Sequence, residues 1–90
     1  MNFKNNEPLN RFELSIDKGS GFIEYEKEEN ILYLTHAEIP VGQRGKGIGK
    51  LVIKGILDEL KGKYSEIVAE CPAVKYVALN NPGYEFVTVD

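Results

Sequence analysis

The residues with the clearest chemical potential lie between Val41 and Lys50. Gly42, Gly45, Gly47 and Gly49 put four glycines into eight residues, and helical periodicity begins directly afterwards. A glycine-rich turn into a helix exposes several backbone N–H groups at the positive end of the helix dipole, which makes an anion site. Arg44 and Lys46 add positive charge at its mouth. A side chain at position 47 or 49 would hold a pyrophosphate away from those amides. A Walker-type phosphate loop fails here, because Lys50 is followed by Leu51 rather than Ser or Thr. A dinucleotide fingerprint fails on its glycine spacing and on the absence of a parallel strand unit upstream. What remains is the pattern R/Q-x-x-G-x-G/A, met by Arg44, Gly47 and Gly49.

Three further side chains carry reactive groups. His36 and Glu38 are two residues apart on one strand and therefore project from the same face. Imidazole is the side chain whose ordinary titration lies nearest neutral pH, and Glu38 lies just ahead of the glycine loop. Each has a plain alternative: a histidine hydrogen-bonded across the sheet, and a solvated or ion-paired carboxylate. Cys71 precedes Pro72, a good first residue for a helix, and thiols at helix starts are easily ionised and nucleophilic. A lone cysteine is equally at home as a small buried hydrophobe. Tyr76 and Tyr84 are candidate acids of lesser weight, since such tyrosines commonly pack on a sheet with the hydroxyl towards water.

The elements that must position these groups can be read from periodicity. Residues 1–10 read as a loose lead-in. Phe12, Leu14 and Ile16 alternate with Glu13, Ser15 and Asp17, which predicts a half-buried strand. Lys18 to Gly21 reads as a turn, 22–26 as a second strand, and Ile31 to about Ile39 as a third that Pro40 ends. Ile48, Val52, Ile56 and Leu60, with Leu51 beside them, predict one apolar helix stripe, and Gly62 a helix stop. Gly55 inside that helix costs about 1 kcal/mol relative to Ala, which predicts close packing there. Glu66 to Cys71 reads as a strand, Pro72 onward as a short helix ending at Asn80 to Gly83, and Phe86 to Val89 as a last strand or tail. The expected fold is α+β, an antiparallel meander followed by a helical crossover into a parallel partner.

Ninety residues, 42% hydrophobic and 28% charged, make one small globular domain spanning 1–90. No apolar run reaches the length of a membrane span, and the polar start lacks a signal-peptide pattern. A single cysteine excludes an internal disulfide, so a cytoplasmic setting is expected. The net charge of −3 argues against nucleic acid. Residues 41–63 carry six basic groups against two acidic, net +4, while the remainder carries five against twelve, net −7. A local anionic ligand fits that asymmetry.

The glycine motif, together with Leu34-Thr35-His36-Ala37-Glu38-Ile39-Pro40 before it and Cys71-Pro72-x-Val74-x-Tyr76 with Asn81-Pro82-x-Tyr84 after it, resembles the GNAT (N-acetyltransferase) superfamily. The likeness is to its short stand-alone members, sometimes called YjdJ-like, and covers roughly residues 12–84. It implies a GNAT-like mixed sheet with acetyl-CoA as cosubstrate and no metal. Ile39, Val41 and neighbouring backbone would line the coenzyme, and Gln43, Arg44, Gly45, Lys46, Gly47, Ile48, Gly49 and Lys50 would hold its phosphates. An amine acceptor, a small molecule or a protein lysine or N-terminus, would be acetylated with help from Cys71, Glu38 or His36. For the matching Cys-Pro, the resemblance carries a covalent acetyl-cysteine proposal. A non-catalytic coenzyme-A-binding module or interaction domain is the alternative, as a monomer or homodimer. The chain departs from the family pattern at Ala37, where threonine is usual. It departs again at Asn80-Asn81-Pro82-Gly83-Tyr84, where Lys-His-Pro-Glu-Tyr is common.

Overall fold

The computed structural model describes residues 1–17, 19–39 and 47–90. Its strands are β1 (Asn2–Asn6), β2 (Arg11–Ile16), β3 (Gly19–Glu28), β4 (Ile31–Glu38), β5 (Glu66–Ala69) and β6 (Val87–Val89). They form one sheet in the order β1-β2-β3-β4-β5-β6. The first four are antiparallel, and β4, β5 and β6 run parallel. Helix α1 (Ile48–Leu60) connects β4 to β5, and α2 (Pro72–Asn80) connects β5 to β6. Two crossovers in the same direction along a sheet, each right-handed, place both helices on one face. The core lies between that face and the helices. It joins Phe12, Leu14, Ile23, Leu32 and Leu34 of the antiparallel strands to Val52, Ile56, Leu60 and Val74 of the helices.

The amino-terminal segment is a strand rather than a loose lead-in. Its composition is polar because β1 is an edge strand that buries one face only. On that face Phe3 stacks on Phe12 (centroids 6.0 Å apart), and Phe12 stacks on Tyr25 (4.3 Å). The Tyr25 hydroxyl donates to Asn5 Oδ1 at 2.9 Å. One aromatic residue amid asparagines is too sparse a pattern to read as alternation.

Two more expectations are corrected. Gly19, Ser20 and Gly21 belong to β3, paired with Ile16, Ser15 and Leu14, and not to a turn. Leu51 is 44% exposed, whereas Ile53 and Leu57 complete the buried stripe of α1. The stripe follows a 3.6-residue period, which carries position 51 outward. The stop at Gly62 is as expected, with Gly62 at φ +80 just past the helix. So is the close packing of Gly55: a Cβ there would stand 2.5 Å from Leu14 Cδ2 of β2. Among the described residues no helix is long and apolar enough to cross a membrane.

Candidate functional site

β4 changes character at its midpoint. Ile31 to Leu34 pair with Glu66 to Ala69 of β5 on one edge and with β3 on the other. The Leu34 carbonyl then accepts two amides, from Glu70 (2.9 Å) and Cys71 (3.1 Å), as β5 turns away into α2. Beyond that point Thr35 to Glu38 continue along β3 with no described strand on the other edge. Their backbone N–H and C=O groups on that edge face the gap between the parting strands.

A β-bulge sets which side chains face which way. Glu24 pairs with His36 and Tyr25 with Leu34, which leaves Thr35 as an extra residue on β4. The Thr35 hydroxyl donates to the Glu24 carbonyl at 3.2 Å, serving the disrupted ladder. Leu32 and Leu34 are fully buried before the bulge, and Ala37 and Ile39 pack against the core after it. The extra residue has switched the inward parity from even to odd. His36 and Glu38 are thereby turned out, exposed, onto the face without helices. Glu24 lies directly across from His36, and Phe22 across from Glu38. Arg11, whose guanidinium sits 4.2 Å from the centre of the Phe22 ring, is engaged by Glu13 at 2.7 Å. That is the one ion pair among the described residues, and Glu38 is exposed.

The start of α1 is open. Gly47 is its N-cap in the left-handed conformation (φ +72), with no side chain capping the helix and no acidic residue in the first turn. A Cβ at Gly47 would meet nothing within 4 Å. The first-turn amides of Ile48, Gly49 and Lys50 have no intrahelical partners. Ile48 is buried, Gly49 half-buried and Lys50 exposed. This donor set suits a polyanion, since first-turn N–H groups lack intrahelical partners and no described side chain caps them. Val41, Gln43, Arg44, Gly45 and Lys46, also expected at this site, lie outside the described residues. Ile39 is described: its side chain turns into the core, so only its backbone faces the gap.

The remaining candidates lie on the other elements. Cys71 is the N-cap residue of α2 beside the point where β4 and β5 part, and its side chain, 5% exposed, joins the core on the opposite side of the sheet from His36 and Glu38. Tyr76 is 68% exposed on α2. Tyr84 is buried, and its hydroxyl donates to Asp58 Oδ1 at 3.0 Å. Burial, and then the Asp58 carboxylate, push the Tyr84 phenol up to about 12. Asp58 sits ten residues into α1, roughly 15 Å from its start, so this bond clasps the α2–β6 connection to α1 and is remote from the open helix end. Periodicity alone does not show Glu24, Thr35 or Gly21 at the site. Gly21 had a signal, because a glycine inside a strand marks a close approach.

No curated protein matches the sequence. A family described as GCN5-related N-acetyl-transferase does match, over residues 11–87, which takes in β2 to the start of β6 and the whole site. The mixed sheet, the crossover helix with its uncapped start and this match agree, and the chain belongs to the GCN5-related N-acetyltransferase family.

Proposed function

We propose that this protein transfers an acetyl group from acetyl-CoA to a primary amine, with the coenzyme held between the open start of α1 and the free edge of β4. The observation that carries the reading is the meeting, at one place, of a strand edge with no described partner strand and a helix start with no side-chain cap. β4 and β5 part after Leu34, and α1 begins without a cap where β4 ends. The amides of Ile48, Gly49 and Lys50, with Gln43 to Lys46 from the preceding loop, would bind pyrophosphate oxygens. The free edge of Thr35 to Glu38 would hydrogen-bond the amide-bearing pantetheine arm as a strand does. Acetyl-CoA would supply an activated thioester carbonyl: the amine nitrogen forms the new C–N bond, the C–S bond breaks, and coenzyme A leaves as a thiolate that takes up a proton equivalent to the one lost by the amine.

Glu38 and His36 are the groups placed to take the proton from the attacking amine, since both are exposed on the same face of the free segment. Glu24, across from His36, adds a second carboxylate to that face, and a protonated amine approaching it is favoured. We assign Cys71 a packing role, because its thiol lies in the core on the other side of the sheet.

Titration calorimetry with acetyl-CoA tests the reading. Wild type should bind at one site, and Gly47→Glu, which sets a carboxylate where the phosphates would lie, should lose binding. Gly47→Ala carries the strain of φ +72 without the charge, about 1 kcal/mol, and separates the two effects. No heat of binding from folded wild type would remove the coenzyme assignment.

A further inference from the structure

The end of β4 and the first turn of α1 are joined through one side chain wedged between two glycines. Gly21 lies on β3 just beyond the Phe22–Glu38 pair, and the Ile39 side chain folds across it towards α1. A Cβ on Gly21 would overlap Ile39 Cδ1, stand 2.8 Å from the Glu38 carbonyl oxygen and 3.2 Å from Val52 Cγ1. A Cβ on Gly49 would stand 3.4 Å from Ile39 Cγ1. The isoleucine thus touches β3 beneath it and the first turn of α1 above it. Gly21 is buried and Val52 fully so, which leaves no free space to absorb a methyl group.

We infer that Gly21 is a positioning residue. The missing side chain lets Ile39 seat against the sheet, and the seated Ile39 fixes the distance between Glu38 and the first-turn amides of α1. This rests on the function proposed above, in which those two places hold the two ends of one ligand. A methyl at position 21 displaces the Glu38 carbonyl and Ile39 by several tenths of an ångström. A ligand that bridges Glu38 and α1 registers that displacement, because misplacement of about 1 Å costs roughly a hundredfold in such sites.

The closing experiment compares Gly21→Ala with Gly55→Ala. Gly55 is also packed tightly between α1 and the sheet, where a Cβ would meet Leu14 Cδ2 at 2.5 Å, but it lies away from the end of β4. Both variants should lower Tm. Gly21→Ala should weaken acetyl-CoA binding about tenfold or more, and Gly55→Ala less than about twofold. Gly21→Ala combined with Ile39→Val, which removes the colliding Cδ1 but leaves the Glu38 carbonyl 2.8 Å from the new methyl, should recover only part of the lost affinity. Should Gly21→Ala not fold, Ile39→Ala removes the wedge without a collision and should weaken binding similarly. A folded Gly21→Ala or Ile39→Ala that binds like wild type overturns the inference.

A second readout needs no ligand: in the free protein, Gly21→Ala should shift the amide resonances of Ile48, Gly49 and Lys50. Unmoved resonances overturn the positioning role whether or not acetyl-CoA binds. Absence of binding by wild type with those resonances moved defeats the coenzyme reading alone.

Discussion

The two halves of β4 differ in what their backbone is doing. From Ile31 to Leu34 every edge is paired, the inward side chains are fully buried, and β5 supplies a parallel partner. From Thr35 to Glu38 one edge has no described partner strand, the ladder to β3 carries a bulge, and the outward side chains are a histidine and a carboxylate. The first half is bound by packing and tolerates little change. The second half has no described strand along that edge, where an ordinary inner strand would be paired. Side by side on one strand, the halves show a small sheet that is fully paired up to Leu34 and paired on one described edge beyond it.

The comparison can be broken most directly at Glu38. Glu38→Gln should lower kcat/KM for acetyl transfer by about 10²–10⁴-fold while changing unfolding free energy by less than about 0.5 kcal/mol, since the residue is exposed. His36→Ala, assayed beside it across pH, identifies which of the two takes the proton: the variant that retains wild-type rate does not. In the first half the balance reverses. Leu34→Ala should cost about 2–5 kcal/mol in urea unfolding, because it empties a fully buried site under both helices. A loss below about 1 kcal/mol there would mean the paired half is not the rigid one.

Smaller effects sharpen the contrast away from β4. Tyr84→Phe should cost about 1 kcal/mol through the lost bond to Asp58 and leave acetyl-CoA affinity unchanged, since the clasp is remote from the helix start. The folded tyrosine titrates at about 12, above its ordinary 10.0. Its contribution is therefore whole below pH 10 and disappears as pH rises towards 12, a slope that denaturant curves should show in wild type and that should be shallower in Tyr84→Phe, where Tyr64, also raised by burial, remains. The smallest effect belongs to Glu13, whose carboxyl is held below its ordinary 4.5 by Arg11 and then Asn6. The stabilisation is present above that value and lost as pH falls through the lowered one. Comparing Glu13→Gln with wild type at pH 7 and at acid pH should show the difference only at the higher pH.

Much of this molecule was legible as pattern. Alternation around Phe12 and Leu14, the four-residue spacing from Ile48 to Leu60, Pro72 at a helix start and Gly62 at a helix end are local rules, and local rules leave local marks. The motifs around His36, the glycines and Cys71 pointed to the family, which the match over residues 11–87 bears out. β1 escaped notice because an edge strand needs one buried face, and Phe3 supplies it alone. The outward position of Leu51 follows from the phase of the whole helix rather than from its own apolarity.

What the sequence determined by itself is the order and type of the elements from β2 to α2 and the chemistry of the groups they carry, because both follow from neighbours a few residues apart. Tertiary structure decided the rest. Periodicity could place His36 and Glu38 on one face but not say which face, since the bulge at Thr35 depends on how β3 and β4 meet. It could set Cys71 at a helix start but not show how deeply the residue is buried there. The requirement for no side chain at Gly21 arises only when Ile39, Glu38 and Val52 arrive from three other parts of the chain, and close packing at one point leaves no local trace beyond a glycine.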